Sequence, residues 1–312
     1  MGQIMSFAGR VVRGVPRRLR RAAFELAGKP LPIPNWPPSP QAGPVASPAP
    51  AAATSPSPPS PTPEPHLHPD LGTAAIQLHG WFRADRGELY PQVPVGPDDV
   101  VADIGCGDGG AGLFCAGQGA RVILSDLDGE RLEQARARVA AAAPGRVEAL
   151  HGNGEALPIG DGTATVTICM EVIEHVDHPP ALCAELFRIT RPGGLLLIAC
   201  PDPRSEAVQK TVAAPIYFEK PNHIRIVQHD ELQGWVRGAG FEILRCDTYG
   251  FYEAVKWSMF WSVAVDLGQP HPVYEAWEET WRRLLDTKDG EKVQRALDAA
   301  FPKSQVVVAH RP

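Results

Sequence analysis

A glycine-rich run follows an apolar stretch about one third of the way along the chain. Residues 100–109 read VVADIGCGDG and place glycine at Gly105, Gly107 and Gly109. Glycine adopts positive φ without steric cost and leaves no Cβ between the backbone and a ligand. The spacing therefore predicts a cofactor-binding turn between a buried strand and a helix that begins near Gly110.

A dinucleotide is one ligand that such a turn accepts. The pattern G-x-G-x-x-G is also satisfied, by Gly105, Gly107 and Gly110, and would place a pyrophosphate at the N-terminus of the helix. The glycine run alone leaves this alternative open, and the neighbouring motifs decide against it.

An acidic residue ends the next apolar run. Residues 120–126 read ARVILSD and place Asp126 about 20 residues after the glycines, where a carboxylate can accept both hydroxyls of a ribose. The sequence predicts Asp126 as the ribose ligand, with Leu127 beside it in the cofactor site.

Carboxylates and imidazoles cluster after a later apolar run, at residues 164–170. Glu171, Glu174 and His175 stand at i, i+3 and i+4, on one face if they form a helical turn. His223 precedes another predicted helix. Such groups can take a proton from a hydroxyl, or hold a cation that lowers the hydroxyl's pKa. The sequence predicts His175 and His223 as catalytic residues.

Strands and helices must alternate to position these residues, as a parallel sheet requires. The predicted strands cover residues 99–103, 121–125, 146–150, 164–170, 194–200, 241–247 and 304–309. The predicted helices cover residues 72–85, 110–118, 129–142, 179–190 and 229–239.

About 55 residues separate the last two predicted strands, too many for a simple loop. This insertion, about residues 249–303, contains four of the seven tryptophans, and we expect it to be helical. Its aromatic side chains either form a small core of their own or line an apolar acceptor pocket above the strand ends.

Residues 70–312 resemble the class I S-adenosylmethionine-dependent methyltransferases in four motifs that occur in the family's order. They are the glycine turn, the strand ending at Asp126, the segment 150–158 (LHGNGEALP) and the segment 188–199, a helix end followed by a strand. The resemblance implies an α/β fold with a doubly wound, seven-stranded, mostly parallel Rossmann-like sheet. It also implies a helical insertion before the last strand, and a last strand that runs antiparallel beside the sixth strand.

The resemblance also assigns cofactor-binding residues. The methionine part of S-adenosylmethionine packs on the turn that includes Asp103, Gly105, Cys106, Gly107 and Gly109, and Glu171 lies near the cofactor. The 150–158 turn holds the adenine. In that turn Asn153, beside Gly154, replaces the family's usual aspartate, and its amide oxygen can still accept from the adenine amino group. Another departure is Ala164-Thr165, where the family often has Phe-Asp.

The Glu-x-x-Glu-His segment resembles two metal-dependent branches of the superfamily, the ubiquinone-pathway O-methyltransferases and the small-RNA 3′-end ribose methyltransferases. This resemblance implies a divalent ion held by Glu171, Glu174, His175 and His223. Mixed carboxylate and imidazole ligands suit Mn²⁺, Co²⁺, Fe²⁺ or Zn²⁺ better than Mg²⁺. The alternative is a metal-free site in which Glu171 lies near the cofactor and His175 is a base.

Three functions remain open. The first is methyl transfer to a small molecule, mainly to a hydroxyl of a sugar, quinone, polyketide or lipid-linked compound. The second is RNA ribose 2′-O-methylation, and the third is noncatalytic cofactor binding.

The net charge is unevenly distributed along the chain. Residues 1–29 carry a net charge of +6, and residues 30–68 carry one acidic residue, a net charge of −1. Because the whole chain has a net charge of −6, residues 69–312 carry −11. That charge argues against a nucleic-acid partner, whose phosphates need lysine and arginine.

Residues 1–68 differ in composition from the predicted methyltransferase domain at residues 69–312. Residues 1–29 are basic with apolar residues at helical spacing, which predicts either an amphipathic helix on an anionic membrane surface or a solvated basic tail. Residues 1–6 also fit an N-myristoylation pattern. Residues 30–68 are rich in Pro, Ala and Ser and predict a disordered linker.

The predicted location is the cytoplasm, either free or peripheral at a membrane surface through residues 1–29. The six cysteines form no C-x-x-C pair and suit buried apolar positions in a reducing compartment. The sequence contains no apolar run of about 18 residues that would span a membrane.

Overall fold

A computed structural model describes residues 77–263 and 270–312. The predicted basic segment 1–29 and linker 30–68 lie outside these residues, as does the start of the helix predicted at 72–85. In its described part only residues 77–78 are helical, and turns follow. A short antiparallel hairpin, β1 (Glu88–Tyr90) and β2 (Val93–Pro94), precedes the main sheet.

Seven strands form the main sheet. They are β3 (Val100–Ile104), β4 (Arg121–Asp126), β5 (Val147–His151), β6 (Ala164–Met170), β7 (Thr190–Pro201), β8 (Glu242–Tyr249) and β9 (Ser304–His310). Their spatial order is β5-β4-β3-β6-β7-β9-β8. The pairs from β5 to β7 are parallel, whereas β9 is antiparallel to both β7 and β8. The predicted fold class is therefore confirmed, including the antiparallel last strand beside the sixth.

Helices connect these strands on both faces of the sheet. They are α1 (Gly110–Gly117), α2 (Gly129–Ala142), α3 (Pro179–Ile189), α4 (Pro203–Val212), α5 (His229–Gly238), α6 (Phe251–Phe260), α7 (Pro272–Leu285) and α8 (Gly290–Ala300), with a 3₁₀ turn at Pro215–Phe218. The sequence predicts α1, α2, α3 and α5 but not α4. Helix α4 begins after Asp202, whose side chain accepts from the Arg204 N–H at 2.9 Å, with Pro203 at the first helical position.

The core consists of two apolar layers, one on each face of the sheet. Alternate residues of one strand enter different layers, so that Val101 packs in one and Ala102 in the other. All seven residues of β6 are buried. Burial on both faces explains why these strands are continuous apolar runs rather than alternating patterns.

Cysteines contribute to this core. All six are free; five are buried as predicted, and Cys246 is exposed. Within the described ranges no helix is long and apolar enough to span a lipid bilayer.

The insertion before β9 is helical, as predicted, and holds α6, α7 and α8; residues 264–269 are not described. Tyr252 and Trp281 are buried together, with Phe251 and Trp277 packed against them, so these aromatics form a small core of the insertion. Trp261 differs, because its Nε1 donates to Gln209 of α4 at 2.7 Å. The insertion therefore contacts α4 as well as itself.

Candidate active site

The glycine turn lies at the carboxyl edge of the sheet, directly after β3. Gly105, Gly107 and Gly109 have φ of 68°, 57° and 77°, the left-handed region that glycine enters without strain. At Gly105 a Cβ would lie 2.2 Å from Cγ2 of Val172. The turn therefore packs directly against the segment that follows β6, and the lack of a side chain permits this approach.

Two predicted residues of the turn point inward. Asp103 is fully buried, and its Oδ2 accepts from the Gly112 N–H at 3.1 Å, which fixes the start of α1. Cys106 is also buried, and its N–H donates to the Ser125 carbonyl at 3.0 Å. Burial raises the pKa of the Cys106 thiol, so the thiol stays protonated. Both residues support the turn from beneath it.

The carboxylate of Asp126 is held in one orientation by the backbone. Its Oδ2 accepts from the Gly107 N–H at 2.9 Å and its Oδ1 accepts from the Asp128 N–H at 2.8 Å. A carboxylate has about four acceptor positions, so both oxygens retain capacity for ribose hydroxyls. The adjacent Leu127 is 70% exposed, an unusual position for a large apolar side chain beside a rigid turn.

The predicted adenine turn packs against the start of α3. The Asn153 Oδ1 accepts from the Glu155 N–H at 3.1 Å, and a carbonyl oxygen keeps a second lone pair for an adenine amino group. A Cβ at Gly154 would lie 2.9 Å from Leu182 of α3. The Glu155 carboxylate accepts from the His178 N–H at 3.0 Å. These contacts fix the turn before any cofactor binds.

Glu171 follows β6 in a strained backbone conformation, with φ of 55°. Positive φ is uncommon for a residue with a Cβ and often occurs at functional sites. Its carboxylate forms an ion pair with Lys303 and accepts from the Ser304 hydroxyl at 2.9 Å. Residues 173–175 form a turn, and Glu171 precedes it in the left-handed conformation. The segment is therefore not a helical turn, and Glu171 does not share a face with Glu174.

Three of the four predicted metal ligands do come together. One potential ligand atom each from Glu174, His175 and His223 lies within 4.8 Å of the other two; this set is called the Glu-His-His group below. Glu174 is 1% exposed, and its Oε1 lies 3.4 Å from the His175 Nε2. The imidazole centroids of His175 and His223 are 4.9 Å apart. Glu171 lies outside this group.

Both imidazoles are oriented through Nδ1. The Nδ1 of His175 lies 2.8 Å from the backbone oxygen of Asn222, which can only accept, so Nδ1 carries a proton. In neutral His175 the basic nitrogen is then Nε2. The Nδ1 of His223 lies 2.8 Å from the Glu206 Oε2. Carbonyl and carboxylate partners on Nδ1 are typical of histidines that act as bases or metal ligands.

Mutual electrostatics set the charges of the Glu-His-His group. Burial acts to raise the pKa of Glu174, but His175 and, to a smaller extent, His223 bring it below its usual value. Burial acts to lower the pKa of His223, but Glu206 and then Glu174 raise it above its usual value. The group therefore favours an ionised carboxylate beside a protonatable imidazole.

The sequence-based predictions omit Glu206, Tyr217 and Lys303. Glu206 is 3% exposed on α4, and its Oε1 accepts from the Tyr217 hydroxyl at 3.1 Å. The Asp202-Pro203 pair is a helix-start signal from which α4 could have been predicted. No local pattern pairs Glu206 with His223 or Lys303 with Glu171, because both contacts are tertiary.

Comparisons with known proteins agree with this geometry. Residues 102–198 match a family described as "Methyltransferase domain". A "Probable S-adenosylmethionine-dependent methyltransferase" of Mycolicibacterium smegmatis is 32% identical over 152 residues, 49% of this chain and 54% of that protein. A malonyl-[acyl-carrier protein] O-methyltransferase of Serratia marcescens is 34% identical over 103 residues, 33% of this chain and 38% of that protein. The chain thus spans about half or less of the length of these relatives.

A solved structure of a geranyl diphosphate methyltransferase in complex with S-adenosylmethionine has the same fold. Its TM-score is 0.50 at 20% sequence identity, covering 76% of this chain and 85% of that one. The family match over residues 102–198 and the partial matches to S-adenosylmethionine-dependent methyltransferases support a class I S-adenosylmethionine-dependent methyltransferase, and the solved structure shows the same fold. S-adenosylmethionine is the cofactor of this class.

Proposed function

We propose that this protein transfers a methyl group from S-adenosylmethionine to a small-molecule acceptor, with a hydroxyl oxygen as the acceptor atom. The observation that carries the proposal is the position of the Glu-His-His group, in which Glu174 and His223 are buried and His175 is partly buried. It begins two residues after Val172, which contacts the glycine turn at Gly105. The residues that we propose to bind the cofactor and those that we propose to accept a proton therefore lie at one edge of the sheet.

The cofactor would bind across the carboxyl ends of β3, β4 and β5. The glycine turn would contact its methionine part, Asp126 its ribose, and Leu127, Asn153 and Gly154 its adenine. Glu171 remains a proposed neighbour of the cofactor. Because the methyl group on a sulfonium is already activated, the protein's main task is to hold the acceptor in line with it.

A hydroxyl acceptor also needs a base. We assign this role to His175 or His223, since a neutral imidazole can accept a proton near neutral pH. The oxygen forms a bond to the methyl carbon, the carbon–sulfur bond breaks with its electron pair going to sulfur, and the imidazole takes the hydroxyl proton. The ionised Glu174 stabilises the imidazolium that results. The products are a methyl ether and S-adenosylhomocysteine, and the imidazolium returns its proton to water.

A divalent cation at the Glu-His-His group is a second candidate. Two imidazoles and one carboxylate fit Zn²⁺, Mn²⁺, Co²⁺ or Fe²⁺ better than Mg²⁺, and the Nδ1 partners of both histidines fit the usual second layer of a metal site. Glu174, His175 and His223 would hold the ion, without Glu171. Such an ion lowers the pKa of a bound hydroxyl.

A small organic acceptor is favoured over a nucleic acid. The net charge of −11 on residues 69–312 opposes phosphate binding. Relatives with partial coverage include the malonyl-[acyl-carrier protein] enzyme and a ubiquinone biosynthesis O-methyltransferase of Serratia proteamaculans. Contact of residues 1–29 with a membrane surface and a cytoplasmic location stay predictions.

An acceptor screen tests the proposed function. The protein is incubated with S-adenosylmethionine carrying a deuterated methyl group and with pooled sugars, quinones, polyketides and lipid-linked compounds. We expect a product that gains one deuterated methyl on oxygen, and equimolar S-adenosylhomocysteine. Asp126→Ala is the matched control that should reduce both. Labelled product on nitrogen or carbon would refute the hydroxyl assignment, and no turnover with any pool would contradict the small-molecule function.

A further inference from the structure

Glu206 is a buried carboxylate that contacts the active-site group without belonging to it. It lies on α4 and is 3% exposed, and each of its oxygens contacts a polar side chain. Oε1 accepts from the Tyr217 hydroxyl at 3.1 Å, and Oε2 lies 2.8 Å from Nδ1 of His223. A carboxylate out of water is stable only when hydrogen bonds replace its hydration, and these two partners supply them.

We propose that Glu206 is a positioning residue: it keeps a proton on Nδ1 of His223 and thereby makes Nε2 the nitrogen that serves the Glu-His-His group. The carboxylate can only accept, so the nitrogen that faces it must be the donor. The proposal deepens the proposed function and rests on it for its chemical meaning, because a base or a metal ligand must present an unprotonated nitrogen.

Packing prevents the imidazole from reversing its orientation. The rings of Tyr217 and His223 have centroids 4.4 Å apart, and the His175 ring lies 4.9 Å away in a T-shaped contact. Tyr217 is itself packed edge-on against Trp261 at 5.4 Å. A flip of the His223 ring would break the bond to Glu206 and leave a buried carboxylate oxygen without that donor, which costs free energy.

The backbone of the same segment supports the arrangement. The Ile224 N–H donates to the Glu174 carbonyl at 3.1 Å, and the His223 N–H donates to the Tyr217 carbonyl at 3.1 Å. His223 is therefore held through its main chain and its Nδ1 at once. Glu206 is the contact that selects which ring nitrogen carries the proton.

Nitrogen NMR of the metal-free protein, labelled with ¹⁵N-histidine, tests the proposal. The spectrum is recorded without acceptor, and the pH is raised until the His223 ring nitrogens give the spectrum of a neutral imidazole. We expect the wild-type His223 ring to give one protonated and one unprotonated nitrogen, with coupling patterns that place the proton on Nδ1. A proton on Nε2 in the wild type would overturn the proposal, and this result needs no variant.

Glu206→Leu removes the acceptor with a side chain of similar size. We expect the Nδ1–H pattern of His223 to be lost, with the proton moving wholly or partly to Nε2. His175 is an internal control, since its Nδ1 partner is the backbone of Asn222 and its spectrum should keep the same tautomer. Tyr217→Phe is the matched variant that removes the other donor to Glu206 and should leave the His223 tautomer unchanged. A merely structural role for Glu206 would lower the melting temperature and leave the tautomer as it was.

The two failures can be told apart. If the wild type shows Nδ1–H on His223 and Glu206→Leu abolishes it, the positioning role holds even when no acceptor is methylated. If methyl transfer occurs but Glu206→Leu keeps the wild-type tautomer, the proposed function stands and the role of Glu206 is wrong.

Discussion

The His175 and His223 imidazoles lie with their ring centroids 4.9 Å apart, and each has a hydrogen-bond acceptor at Nδ1. One histidine follows β6, and the other precedes α5. Their acceptors differ, a backbone carbonyl for His175 and the Glu206 carboxylate for His223. The same orientation is thus imposed on two rings by unrelated partners, which is the arrangement expected when Nε2 has a function.

Asp126→Ala should weaken S-adenosylmethionine binding. The variant loses the proposed hydrogen bonds to the ribose hydroxyls, each contributing about 1.5–3 kcal/mol because the acceptor is charged. Isothermal calorimetry measures the change, with the exposed Asp98→Ala as a control that should bind like the wild type. An unchanged affinity for Asp126→Ala would remove this residue from the ribose role.

Leu127→Ala should weaken cofactor binding without lowering stability. Its side chain is 70% exposed without the cofactor, so truncation costs little in the folded protein, whereas burial of a leucine by adenine would contribute about 1.5–3 kcal/mol. Leu244→Ala, at a residue 46% exposed on β8, is the matched control. Equal affinities for the two variants would show that Leu127 does not contact the cofactor.

A chelator distinguishes the two versions of the active site. If the Glu-His-His group holds a cation, metal analysis should find one ion for each protein, and dialysis against a chelator should abolish turnover until Zn²⁺, Mn²⁺, Co²⁺ or Fe²⁺ is restored. Glu174→Gln should weaken metal binding, whereas Glu171→Gln should not, because Glu171 lies outside the group. Turnover that is indifferent to chelation would contradict the metal candidate and favour a histidine base.

The stability of the metal-free protein should depend on pH through His223. The pKa of His223 is raised in the folded state above the value near 6.5 of an unperturbed histidine. Protonation of His223 therefore stabilises the fold, and this contribution is complete below the pKa of the unfolded chain. The contribution is lost as the pH rises through the pKa of the folded protein. His223→Gln should therefore lower the melting temperature most at about pH 5.5, where carboxylates are still ionised, and less in alkaline buffer. A deficit that grows with pH would contradict the raised pKa.

The fold, and the positions of the residues proposed to bind the cofactor, could be predicted because their signals are local. The apolar strand runs, the glycines at positive φ and the acid that ends β4 can each be recognised within a short stretch of sequence. Glu171 illustrates the limit. Its i, i+3, i+4 spacing with Glu174 and His175 predicts one shared face, but its left-handed backbone and its ion pair with Lys303, 132 residues away, separate it from them. No local pattern in the sequence indicated the role of Glu206, because its contact with His223 forms only in the folded chain.

We propose that one edge of the sheet binds S-adenosylmethionine and that the adjacent histidines serve the methyl transfer. The most direct test compares the wild type with His175→Ala for calorimetric affinity and for the rate of S-adenosylhomocysteine formation with an acceptor from the screen. We predict unchanged affinity, since His175 contacts Asn222 and Glu174 rather than the glycine turn, and a rate lower by about 10²–10⁴-fold. A wild type that does not bind S-adenosylmethionine, or a wild-type rate in both His175→Ala and a parallel His223→Ala variant, would contradict this.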